Sequence, residues 1–386
     1  MPIFLLVFFL LMVGYAILIN FYHRAWNQLP VYKVADRKPV TNISVVVAAR
    51  NEEDNLPALL DSLNSQQYPS SLYEVIVVND HSTDNTWSIL QQAAYPELKL
   101  RPINLAAYLE DTGTTRSYKK KAIETGIREA RGTLIVTTDA DCRLGDQWLQ
   151  TFASFYETTE AKFIAAPVRI DARRSLLGIF QTLDFITLQG ITGASVYKRF
   201  HSMCNGANLA YEKKAFEEVN GFEGIDKIPS GDDMLLMHKI YQKYPDKVFY
   251  LKAQEAIAST APAASWKAFF HQRIRWASKA DSYDDKRIFW TLLLVYLMNV
   301  CFLVAAVAAF WKNIWLFFCL LLLLAKVLIE FPFVHSAAIF FGQTSMMKYF
   351  PFLQPLHILY TIIAGWLGKF GKYEWKGRVI SKQPNN

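Results

Sequence analysis

Two carboxylates stand where an apolar run ends: Leu134-Ile135-Val136 leads through Thr137-Thr138 into Asp139-Ala140-Asp141. In an extended segment residues i and i+2 point the same way, so Asp139 and Asp141 are expected to aim both carboxylates into one space. Such a pair suits a hard divalent cation that keeps some waters and binds phosphate oxygens. Lys119, Lys120 and Lys121 open a predicted helix nearby in sequence. They could add positive charge for a diphosphate, or simply be a solvated helix start. Two more polar clusters follow apolar runs. Arg50-Asn51-Glu52 comes after residues 43–49, and Asn79-Asp80-His81-Ser82-Thr83-Asp84 after residues 73–78. Singly, Asp80 or Asp84 could be a helix cap. Capping does not require three runs to share one edge.

The elements that must position these residues alternate. Residues 43–49, 73–78, 98–103 and 134–138 read as strands, apolar on both faces, and 54–66, 83–94 and 118–131 as helices between them. That order predicts βαβ units and a mostly parallel sheet, an α/β fold whose ligands bind beyond the carboxyl ends of the strands. The polar clusters all fall at those ends. A nucleotide diphosphate held by a metal is the expected ligand.

The chain has 386 residues, 52% of them hydrophobic, and a formal net charge of +7. The apolar excess gathers in residues 3–21, 288–310, 314–331 and, more weakly, 350–367, which contains Pro351 and Pro355. Each is close to the roughly 20 residues that cross a bilayer. The expected division is an anchor and linker at 1–38, a soluble domain at 39–285, a transmembrane region at 286–368 and a basic tail at 369–386. The first apolar run lacks a preceding basic region and a cleavage pattern, so it reads as a retained anchor. His23, Arg24, Lys33, Arg37 and Lys38 follow it, which by the positive-inside rule makes the soluble block cytoplasmic. The expected location is therefore multi-pass in the cell inner membrane. Four full crossings would place the tail outside, against the preference of Lys369, Lys372, Lys376, Arg378 and Lys382 for the cytoplasm. A re-entrant fourth segment would remove that conflict. Lys326 and Glu330, at i,i+4 spacing within an apolar run, read as a self-neutralising pair. The four cysteines (Cys142, Cys204, Cys301 and Cys319) have neither ligand spacing nor a paired framework and are expected reduced. The positive charge has a membrane explanation, and nothing points to nucleic acid.

In order along the chain stand ARNEEDNL, VNDHSTDNT, DAD, CNGANLAY, SGDDML and QRIRW. This ordered set, spread over residues 43–277, resembles that of membrane-bound family-2 glycosyltransferases. The branch with DxD and QxxRW motifs includes cellulose, chitin and hyaluronan synthases and ceramide glucosyltransferases. The resemblance implies a GT-A (Rossmann-like) fold with transmembrane helices at both ends, a nucleotide-sugar donor, Mg²⁺ or Mn²⁺, and inversion at the anomeric carbon. Carried over by position, it implies that Arg50 and Glu52 contact nucleotide and that Asp80 binds the base, usually uracil. It implies that Asp139 faces the nucleotide, Asp141 binds metal, and Lys119 lies on the donor side. Asp233 matches the general base; Asp232 stands where the family usually has glutamate, so a shift of one between the two acids stays open.

Gln272, Arg275 and Trp276 match the last motif. Residues 265–281 read as an amphipathic helix. Trp266, Phe270, Ile274 and Ala277 fall on one face, expected to lie in lipid at the membrane interface, and Gln272, Arg275 and Trp276 on the opposite one, towards acceptor or diphosphate.

The expected function is metal-dependent, inverting transfer of a sugar from a UDP-sugar to a lipid or lipid-linked acceptor. A processive polysaccharide synthase of the same family is the alternative. Two readings from other classes fit less of the sequence. A transporter would carry its polar residues within the spans. A non-catalytic sugar-nucleotide-binding membrane protein would need neither Asp233 nor the QRIRW helix.

Overall fold

A computed structural model of the chain describes residues 2–95, 97–108, 117–171, 175–226, 228, 231–278, 285–370, 373–375 and 378–380. Lys372, Lys376 and Lys382 of the basic tail, and residues 279–281 of the expected interfacial helix, lie outside them. The chain forms two compact units. One comprises Leu29–Asp171 and Ser202–Ala261; the other comprises Met1–Gln28, Ala172–His201 and Pro262–Asn386.

The first unit is built on β1 (Ile43–Ala49), β2 (Tyr73–Asn79), β3 (Leu100–Asn104), β4 (Leu134–Asp139), β5 (Cys142–Leu144), β6 (Phe163–Ala165), β7 (Val168–Ile170), β8 (Asn208–Glu212), β9 (Val248–Tyr250) and β10 (Ala258–Thr260). Seven of them form one sheet in the order β3-β2-β1-β4-β8-β6-β9, with β8 alone antiparallel to its neighbours. The other three form a small sheet, β5-β10-β7. Val45, Val46, Val47 and Val75 to Val78 are all inaccessible. Continuous β-branched runs of this kind are what a sheet covered on both faces requires.

Strand order reverses at β1. The chain winds outward through β2 and β3, then returns to place β4 on the other side of β1. Such a switch point opens a crevice at the carboxyl ends of the strands. The register aligns Ala48 with Asp139 and Ala49 with Asn79, so Arg50, Asp80 and Asp139 emerge on one edge. Helices begin later than their sequence pattern suggests, at Leu56 and Thr86, because the preceding polar residues are used in loops at the crevice.

The second unit holds the apolar helices. Four are long and apolar enough to cross a membrane: Ile3–Gln28, Lys286–Ala308, Asn313–Phe340 and Thr344–Lys369. Leu176–Tyr197, a 22-residue helix that the sequence reading missed, packs with them and brings Gly190 against Phe333. Its Gln, Thr and Asp side chains mask the apolar period, and most are buried. The last helix, Phe350–Phe370, is unbroken, with Pro355 inside it. Lys326 and Glu330 pair as expected, but as part of a larger buried cluster. Gln354 bonds both, donating to Glu330 at 2.7 Å, and the Tyr15 hydroxyl donates to Glu330. All four cysteines are free thiols.

Candidate active site

The loops after β1 and β2 are laced together. The Asn51 N–H donates to Ser82 Oγ (3.0 Å), and its side-chain oxygen accepts the Thr83 N–H (2.8 Å). The Glu52 N–H reaches Thr86 Oγ1 (2.8 Å), and the Glu53 carboxylate accepts both the backbone and side-chain N–H groups of Asn85 (3.0 and 2.8 Å). The Glu52 carboxylate accepts from Asn55 at 2.8 Å.

Asp84 is the capping acid: its carboxylate accepts the N–H groups of Thr86 (3.0 Å) and Glu53 (3.1 Å). Burial works to raise its pKa but is outweighed by these hydrogen bonds, which hold it below the usual range. Asp80 does something else. It is buried, with its carboxylate 3.0 Å from His81 Nδ1 and 3.9 Å from Arg50 Nη1; Arg50 also donates to the Asp80 carbonyl at 3.2 Å. His81 takes a left-handed backbone conformation at φ 53° and sets its ring edge-on to Tyr118, 5.2 Å between centroids.

The three lysines have three different jobs. Lys120 is buried and donates to the carbonyls of Ile225 and Ile228 at 2.6 and 2.7 Å. Lys121 pairs with Glu124 one turn on, at 2.8 Å. Lys119 turns to the crevice. Its ammonium lies 2.7 Å from Asp139 Oδ1 and 3.6 Å from Asp232 Oδ2, joining the DxD segment to the acidic pair. Burial works to lower the Lys119 pKa, but Asp139 and Asp232 outweigh it and raise it above the ordinary value. Gly126 lies on the same helix as Lys119. A Cβ at that glycine would come within 2.5 Å of Val46 Cγ1, so the helix Tyr118–Glu129 lies close on β1.

The alternation expected of Asp139 and Asp141 is not how the structure arranges them. β4 ends at Asp139, and Ala140 and Asp141 form a turn into β5. Asp141 is exposed, and its carboxylate accepts from Thr260 Oγ1 of β10 at 3.4 Å. Both acids act on Cys142. Burial first, then the charges of Asp139 and Asp141, push its thiol well above the usual range. A tight turn, rather than a straight strand, gives them common surroundings.

Among the described residues no three His, Cys, Asp or Glu side chains gather into a ready-made metal cage. Asp141 with Asp139 offers carboxylate oxygens alone, the donor chemistry of Mg²⁺ or Mn²⁺. These ions are held by one or two carboxylates and complete their shells with phosphate oxygens and water. The residues fit an ion that arrives with a diphosphate.

Asp232 and Asp233 open the helix Asp232–Lys243, behind Gly231 at φ 78°, a conformation glycine adopts without steric cost. Asp233 Oδ2 accepts the Gly206 N–H at 3.1 Å, and Oδ1 accepts from Met234 N at 2.8 Å. The CNGAN segment therefore packs on the acid pair. Asn208, fully buried, fixes that segment. It accepts from Trp148 Nε1 (3.0 Å) and donates to the carbonyls of Pro167 and Ala256, both at 2.7 Å. A hydrogen-bonding role of this kind leaves no periodic signal in sequence.

In the second unit the QRIRW segment lies on the helix Trp266–Ala277, capped by Ser265, whose Oγ accepts the Ala268 N–H at 3.2 Å. Gln272, Arg275 and Trp276 are each half-buried. The side chains this helix buries are Phe269 and Arg273, while Trp266, Phe270, Ile274 and Ala277 are half-buried. Arg273 is interior through an ion pair that the sequence did not reveal, Arg273 Nη2 to Asp184 Oδ2 at 2.6 Å.

Two family models match this chain. "Glycosyl transferase family 2" covers residues 44–219. "Glycosyl transferase family group 2" covers 134–367, more than half of the chain. The chain belongs to glycosyltransferase family 2. Among relatives of this family-2 enzyme, a poly-β-1,6-N-acetyl-D-glucosamine synthase of Staphylococcus epidermidis is 24% identical over 374 residues, 92% of this chain and 82% of that protein. A β-monoglucosyldiacylglycerol synthase of Nostoc sp. is 26% identical over 259 residues, 65% of this chain and 51% of that protein. Two further relatives are matched over 55% and 59% of their own lengths, so the chain spans little more than half of several proteins it resembles. Among solved structures, a mannosyltransferase from Pyrobaculum calidifontis, in complex with GDP-Man and Mn²⁺, superposes with a TM-score of 0.59. It is 19% identical, and the match covers 94% of this chain and 98% of that one. The shared architecture is the GT-A fold.

Proposed function

We propose that this family-2 enzyme moves a single sugar, with inversion, from a UDP-sugar to a lipid or lipid-linked acceptor at the cytoplasmic face of a membrane. The observation that carries the reading is Lys119. One ammonium bridges Asp139, on the donor side of the crevice, and Asp232, beside the proposed base. A departing diphosphate needs positive charge where the DxD and the acidic pair converge, and a lysine kept protonated there supplies it.

Arg50 and Asp80 form the nucleoside end, with Glu52 in the loop that shapes it. Asp141, with Asp139, would hold a divalent ion, whose charge would offset that of the leaving nucleoside diphosphate. Asp233 takes the proton from the acceptor hydroxyl. Its two backbone hydrogen bonds, from Gly206 and Met234, fix the direction in which the carboxylate points. Trp276 serves the acceptor, and Gln272 and Arg275 the acceptor or the diphosphate. A membrane-resident acceptor is supported by the four helices long and apolar enough to cross a membrane.

The test is incubation of membranes carrying the enzyme with a panel of labelled nucleotide sugars, followed by lipid extraction and sizing. One sugar added to extractable lipid, from one UDP-sugar, is the expected result. A ladder of water-soluble polymer would instead support processive synthesis, the reading favoured by the polysaccharide synthase relative matched over 92% of this chain.

A further inference from the structure

Arg273, the second residue of QRIRW, carries no role in the reading above, yet it is the most enclosed charge on its helix. It is 4% exposed, and its partner Asp184, on Leu176–Tyr197, is 6% exposed. The pair is tied further by the Tyr360 hydroxyl, which donates to Asp184 Oδ1 at 2.5 Å; His357 Nε2 lies 3.9 Å from the same oxygen. The Arg273 guanidinium is also stacked. Its central carbon is 4.2 Å from the Trp276 ring centroid and 4.9 Å from that of Phe269. Phe185, next to Asp184, sets its ring 6.2 Å from Trp276.

A buried ion pair is a poor source of stability, because desolvation offsets most of its attraction, and apolar replacements of similar volume are often neutral or better. What it does supply is direction. A planar guanidinium fixed by a carboxylate at one end presents a flat cationic face at the other, and an indole lies against such a face with a defined orientation.

We propose that Asp184 and Arg273 are positioning residues for the transfer reaction. Asp184 fixes the Arg273 guanidinium, and the guanidinium fixes the plane of the Trp276 ring. This rests on the reading that Trp276 serves the acceptor. Both residues act through the indole, so their loss should leave the donor end untouched.

The test compares three forms of the full chain, purified in detergent, with wild type: Arg273→Met/Asp184→Leu, Arg273→Lys, and Trp276→Ala. Thermal stability, UDP binding in the presence of Mn²⁺, and transfer kinetics are measured for each. The double variant removes both charges together and is expected to match or exceed wild-type stability, with UDP affinity and donor KM unchanged. Its kcat should fall by about 10–10²-fold, the order that ångström-scale misplacement costs. Arg273→Lys, which keeps the charge but not the flat face, should bind UDP normally and also lose turnover.

A merely structural pair gives a different pattern, in which turnover follows stability. Wild-type turnover in a stable double variant, or in Arg273→Lys, overturns the proposal. If the double variant does not fold, Arg273→Lys alone decides. Trp276→Ala separates the two readings. Full activity there overturns the role of the tryptophan itself. An inactive Trp276→Ala beside a fully active double variant overturns only the positioning.

Discussion

At the scale of single residues, the role proposed for the acid pair is open to direct test. Asp233→Asn keeps size and hydrogen-bonding reach while removing basicity. Donor and metal binding should persist, and turnover should fall by about 10²–10⁴-fold, as for a lost general base. Asp232→Asn should leave turnover closer to wild type and raise the donor KM, because it loosens Lys119 on one side. The reverse ranking, with Asp232→Asn the more damaging to turnover at saturating donor, would move the base by one residue. Asp141→Asn should resemble full chelation, with transfer lost in both. Full activity in excess chelator would remove the metal from the reaction.

Asp80 and Asp84 could both pass as caps in the sequence, and only tertiary partners tell them apart. Asp84 accepts two backbone N–H groups, whereas Asp80 lies against Arg50 and His81. Asp80→Ala should therefore raise the donor KM, and Asp84→Ala should lower stability with little change in KM. Equal KM values for Asp80→Ala and wild type would leave Asp80 no part in base binding. The three lysines make the same point. Adjacent and chemically identical, they are sorted by what each turn of the helix faces, which no spacing rule contains.

At the scale of elements, the first half of the sheet was plain in the sequence. β1, β2 and β4 are apolar runs of six or seven residues separated by helical periods, and a parallel sheet covered on both faces needs them; β3, a five-residue edge strand, was placed by the helical periods on either side of it. β5 to β10 are three to five residues long. Strands so short show too little alternation to be told from loops. The QRIRW helix was legible as a helix, but not the burial of Arg273, which depends on Asp184, 89 residues earlier in the chain.

Gly126 joins element to site. A Cβ there would meet Val46 at 2.5 Å and Val78 at 3.3 Å, so Gly126→Ala must push the helix Tyr118–Glu129 off the sheet. Overpacking of this kind costs about 1–3 kcal/mol. The displacement also carries Lys119 away from Asp139 and Asp232. A loss of stability should therefore come with a raised donor KM in kinetics at a temperature where the variant stays folded. An unchanged KM would separate the packing of this helix from the placing of Lys119.

At the scale of the whole molecule, the contacts of the last apolar helix bear on how many of the four candidate spans are full crossings. Along the first apolar helix, Phe4 meets Trp315, Tyr15 meets Glu330 and Trp26 meets Phe340, so Asn313–Phe340 runs parallel to it. Phe8 meets Phe302, and Gly14 approaches Leu294, so Lys286–Ala308 runs antiparallel. These three helices set a common scale of depth. Gln354, near the start of Phe350–Phe370, bonds Lys326 and Glu330 at the level of Tyr15. A helix running straight through would advance about 16 Å by Gly365, at 1.5 Å per residue, and reach the level of Phe4. Gly365 instead lies against Tyr296, between the levels of Gly14 and Phe8, and Gly368 lies against Ala277 at the end of the QRIRW helix. By length and composition this helix can span, yet these contacts describe one that enters and runs steeply inclined. Three crossings would return the chain to the side on which the first helix ends, the arrangement the positive-inside rule expects of Lys369. A single cysteine introduced at Asn386, in a variant with its native cysteines replaced, should be shielded from a membrane-impermeant thiol reagent in intact cells and react after permeabilisation. Labelling in intact cells would mean a fourth crossing, and the inclination of the last helix would then be a tilt within a full span.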